Sequence, residues 1–89
     1  MKNKTKRRMI MSQYRIKKGE KTIVYGFDHC IPEYFLWVQD DEEAVEELVG
    51  CLGSLSGTNG HMIQAISKLD LVSEIPREHL ELIASDLPI

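Results

Sequence analysis

The chain has few cysteines, little base beyond its first quarter and no long apolar run, and each shortage removes a class of function. Cys30 and Cys51 are its only thiols, twenty-one positions apart with no Cys-x-x-Cys. That spacing makes neither a disulfide framework nor the paired ligands of a structural zinc site. Beyond Lys21 only Lys68 and Arg77 are basic, against thirteen carboxylates. The body of the chain therefore offers no broad cationic surface to nucleic acid. No stretch approaches the roughly 20 apolar residues that cross a bilayer. The basic opening leads into the mixed Met9 to Ser12 stretch rather than a secretory core, so the expected setting is cytoplasmic, with reduced, buried cysteines and no membrane partner.

The charge that is present is strongly divided. Nine of eleven bases fall within the first twenty-one positions beside a single acid, Glu20. Residues 1–11 read as a basic, disordered arm, since Met1 to Arg8 carry five cations and no large apolar residue beyond Met1 to offset the entropy of ordering. Met9 and Met11 are further candidate starts, but residues 12–89 hold six bases and fourteen acids whichever applies. These residues form the single domain, and a chain of this length buries roughly 60 to 65% of its unfolded surface.

Element by element, the pattern reads as α+β. Tyr14 and Ile16 alternate with Arg15 and Lys17 at the period of a half-buried strand. Lys18-Gly19-Glu20-Lys21 is a turn with Gly19 at positive φ, and Thr22 to Tyr25 completes a hairpin. Tyr34 to Val38 is apolar on both faces, as in a covered strand. Asp40 to Gly50 then reads as an acidic helix, capped by Asp40 or Asp41, with Ala44, Val45, Leu48 and Val49 on one stripe. A second helix presents Met62, Ile63, Ile66 and Leu69 after an N-cap at Thr58 or Asn59. A third has Pro76 at its first position and Leu80, Ile83 and Ala84 on its apolar stripe. The expectation is a small antiparallel sheet of about three strands, hairpin first, with two or three short helices packed on it.

Candidate chemistry is sparse. His29, Cys30, Cys51, His61 and His79 are the only soft ligands, and their spacing argues for buried thiols and surface imidazoles rather than a metal. Cys30 with Asp28 and His29 could make an activated nucleophile, but neighbours in a loop usually point apart. Asp28 serves better as a turn acceptor, with Cys30 and Ile31 tucked into the core. The glycines of residues 50–60 precede a helix, yet no Lys-Ser or Lys-Thr follows them as in a phosphate loop. Catalytic, cofactor and metal residues are accordingly assigned to none.

What remains is interaction. Asp40, Asp41, Glu43, Glu46 and Glu47 belong to six carboxylates in eight positions, which suit either a solvated, soluble face or, through their like-charge i,i+4 pairs, an interaction surface. Phe35 and Trp37 share a strand face opposite Tyr34, Leu36 and Val38; the pair reads as core packing if covered and as a binding surface or homo-oligomer contact if exposed. The leading expectation is a noncatalytic module that binds a protein partner through these seven residues. The alternative is a nucleic-acid regulator acting through Arg7, Arg8, Arg15, Lys17 and Lys21.

Overall fold

A computed structural model describes residues 11–41, 44–50 and 56–89. Four strands, β1 (Met11–Lys18), β2 (Lys21–Asp28), β3 (Glu33–Gln39) and β4 (Val45–Val49), form an antiparallel meander in the order β1-β2-β3-β4. Two helices follow, α1 (Asn59–Lys68) and α2 (Arg77–Ala84). The fold is α+β, with one strand more than the pattern suggested and two helices among the described residues.

The hairpin forms where expected. Lys18 pairs with Lys21 across the two-residue turn Gly19-Glu20, and Gly19 takes φ +65°, where a Cβ would be strained. β2 is central and buried on both faces from Ile23 to Phe27. The β2–β3 connection is held by Asp28, whose carboxylate accepts the backbone N–H groups of Cys30 (2.9 Å) and Ile31 (3.3 Å). Those bonds fix a tight turn that projects outward. Cys30 and Ile31 are consequently exposed, which corrects the expectation that they enter the core.

The expected acidic helix is instead β4. Asp40 caps no helix: its N–H donates to the Ala44 carbonyl (3.1 Å), and its carboxylate accepts the Ala44 N–H (2.9 Å), closing the β3–β4 turn. Two causes favour the strand. Like charges at i,i+4 weaken a helix, and the outer edge of β3 offers Val49 a buried place opposite Leu36. The register slips by one residue between Leu36 and Trp37, so that Leu48 and Val49 both reach the core. Two adjacent apolar residues facing one way imitate a helical stripe in sequence.

Both helices cover one side of the sheet. Ile23, Tyr25 and Phe27 of β2 and Tyr34, Leu36 and Val38 of β3 pack with Met62, Ala65 and Ile66 of α1 and Ile83 of α2. Ala65 takes the inward place assigned to Ile63, which is 41% exposed because it falls off the stripe. Ala84 is likewise exposed, and Ile83 alone of α2 is fully buried. Thr58 caps α1, accepting the His61 N–H on its hydroxyl (3.3 Å), whereas Pro76 sits at the cap of α2 rather than inside it. Each helix ends in a Schellman motif with an aspartate, not glycine, at positive φ. Leu71 N–H bonds the Ile66 carbonyl and Leu87 N–H the Leu82 carbonyl, around Asp70 and Asp86. Lys18 completes the first of these ends by donating to the Asp70 and Leu69 carbonyls and to Glu74.

Tyrosines of the sheet hold the last residues. The Tyr34 hydroxyl donates to the Leu87 carbonyl and that of Tyr14 to the Ile89 carbonyl, each at 2.6 Å. This ties α2 and the segment after it to β1 and β3.

Candidate interaction face

The sheet face away from the helices is built by the strand pleat. Side chains alternate sides along a strand, so the odd-numbered residues of β1 and β3 and the even-numbered residues of β2 share this face. Register then places Arg15, Val24, Trp37 and Glu47 in one row across all four strands. Arg15, Trp37, Gln39, Val45 and Glu47 line a shallow groove of about 340 Å³ on it. Val24 and Phe35 are buried yet stand outside the helix-covered cluster, which confirms the division of the sheet into two sides.

Phe35 and Trp37 are stacked, with ring centroids 5.4 Å apart and planes 21° from parallel. Phe35 is only 8% exposed. Its ring lies over Gly26, where an added Cβ would come within 2.8 Å of the phenyl carbon and would collide with the Ser12 carbonyl oxygen. Glycine at this position allows β1, β2 and the aromatic ring to approach. Trp37 remains partly exposed, bordered by Arg15 and Glu47. Phe35 thus supports the face from beneath while Trp37 presents it.

The sequence-derived site residues separate on folding. Glu47 joins Trp37, whereas Glu46 pairs with Val38 and turns to the other side, near Lys21. Asp40 is engaged in the turn and Asp41 is exposed beside it. Arg15 and Lys17 are exposed on the aromatic face, but Lys21 lines a groove on the helix side with Lys18, Ile23 and Val38. The hairpin cations therefore do not form one surface. Glu43, Arg7, Arg8 and Cys51 lie outside the described residues. Val24 was read only as part of the hairpin and Val45 as part of a helical stripe, so neither was assigned to the aromatic face from sequence.

The histidines have other partners. Tyr25 Oη lies 2.7 Å from His79 Nδ1, and the Tyr14 ring packs on both, its centroid 4.4 Å from that of His79. Burial, with a smaller contribution from the Tyr14 phenol, pushes the Tyr25 hydroxyl up to about 12. It is consequently a neutral hydrogen-bonding group throughout the ordinary pH range. Burial and then the Asp86 carboxylate also push Tyr34 up. His61 Nδ1 meets the Ser56 hydroxyl at 2.7 Å. Among the described residues no three His, Cys, Asp or Glu side chains converge as metal ligands, and no helix is long and apolar enough to cross a membrane.

No family model, curated protein or solved structure matches this chain. Its functional reading rests on the geometry of the sheet face.

Proposed function

We propose that the chain is a cytoplasmic protein-interaction module whose binding surface is the face of the sheet opposite α1 and α2. The observation that carries this reading is the row Arg15, Val24, Trp37, Glu47, in which the partly exposed indole lies between a cation and an anion and Val24 is buried. An apolar centre with an aromatic anchor and a charged rim is the usual anatomy of a binding patch. The acidic contribution comes from Glu47 on a strand, in place of the helix expected from sequence. Charge of both signs at the rim orients a partner and excludes wrong ones.

A second reading, nucleic-acid contact, draws support from Arg15, which lines the groove with Trp37, and Lys17 on the same face, since bases stack on aromatic side chains. Glu47 in the same row opposes it by repelling phosphate.

Photo-crosslinking separates the two readings. A photoreactive residue introduced at Lys17 or Gln39 captures protein in the producing cell, and Trp37→Lys abolishes the capture. The same probe at the exposed Ser73 captures none. Adducts to nucleic acid from the first two positions select the second reading. Equal capture from all three positions, or none from the sheet face, overturns both.

A further inference from the structure

Building on that reading, we infer that the occupant of the sheet face is a second copy of this chain, packed face to face about a two-fold axis parallel to the strands. The face is electrically lopsided: β1 carries Arg15 and Lys17 at one border, and β4 carries Glu47 at the other. Two in-plane axes can bring identical faces together. An axis across the strands stacks β1 on β1 and opposes Arg15 to Arg15. An axis along the strands reverses the strand order, so that β1 of each copy lies over β4 of the other. Arg15 then meets Glu47 twice by symmetry, and the partly exposed Trp37 of each copy lies between these pairs.

The remaining features agree with this arrangement. The row is self-complementary in charge, and with Val24 fully buried inside each copy its apolar contact is the partly exposed Trp37. Aligned packing of two sheets holds their strands within about 30°, close enough for the row to keep its register. A four-strand face about 20 Å on a side presents on the order of 400 Å² per copy, at the low end for specific association. The pair is accordingly weak and reversible, with dissociation in the micromolar range. Val45, 54% exposed, gains cover from the opposing β1.

Charge reversal tests the geometry. Sedimentation velocity of the full chain, from about 1 µM to 1 mM, reads the dimer fraction. R15E and E47R each raise the dissociation constant at least about tenfold, because each creates two like-charge contacts. The double variant R15E/E47R restores association to within about threefold of the parent. Near-ultraviolet circular dichroism of each variant verifies the fold, and Lys17→Glu serves as a border control with a smaller effect. A monomer throughout the range overturns the second copy while leaving the sheet-face reading to its crosslinking test. A dimer indifferent to both reversals overturns this packing. A dimer weakened by the single changes but not restored by the double one overturns the strand-parallel axis.

Discussion

The two sides of one four-stranded sheet are made from the same strands, often from adjacent residues, yet they are built differently. On the helix side Tyr25, Leu36 and Tyr34 are covered, and the tyrosine hydroxyls end on His79 and Leu87. On the other side Trp37 and Val45 stay accessible, and charge borders the apolar row. Stability is concentrated on the first side, and the proposed recognition surface is the second. A single residue step along β3, from Leu36 to Trp37, passes from one role to the other.

The largest effect expected from breaking this division is Leu36→Ala, which removes a fully buried side chain and costs about 2–5 kcal/mol in chemical denaturation. Gly26→Ala comes next. Its Cβ meets the Ser12 backbone and the Phe35 ring, so about 1–3 kcal/mol of overpacking appears on the accessible side, where substitutions should otherwise be tolerated. A neutral outcome in the same denaturation experiment would show that β1 does not approach β2 this closely.

Tyr25→Phe probes the helix side with pH. The phenol ordinarily ionises near 10.0 and burial holds it to about 12 in the fold. Stability from keeping it neutral is therefore complete below pH 10 and is lost as the pH rises towards 12, since the unfolded chain releases the proton first. The variant costs about 1 kcal/mol at neutral pH through the lost bond to His79 and flattens part of the alkaline decline in Tm. Asp86→Gly moves stability the other way, by about 0.5–1 kcal/mol, because glycine adopts the positive φ of the α2 terminus without strain. Arg15→Glu should have the smallest effect, within about 0.5 kcal/mol in thermal melts, while altering association most.

Much of the helix side was legible in the chain. The alternation of Tyr14 and Ile16 with Arg15 and Lys17, the glycine at position 19 and the apolar run from Tyr34 to Val38 each have one structural solution, and the structure adopts it. Asp40 to Gly50 was ambiguous, since Leu48 and Val49 fit either a helical stripe or a bulged strand. The choice rests on the unpaired edge of β3, a tertiary condition that local pattern does not contain. The aromatic pair was legible as sharing one strand face, but not the burial of Phe35, which depends on Gly26, its register partner on the adjacent β2. Glu46 and Glu47 could be assigned to opposite sides only once the segment was known to be a strand. The aspartate C-caps were hidden because glycine or asparagine is the usual signal.

Trp37 is the chain's single tryptophan, so its fluorescence reports on the accessible face without labelling. Acrylamide quenching measured across a dilution series reads whether a second copy covers this ring. Quenching is expected to be weak at high protein concentration and to strengthen on dilution, with R15E strongly quenched at every concentration. Quenching that is independent of concentration in the parent, and the same in R15E, would contradict cover by a second copy.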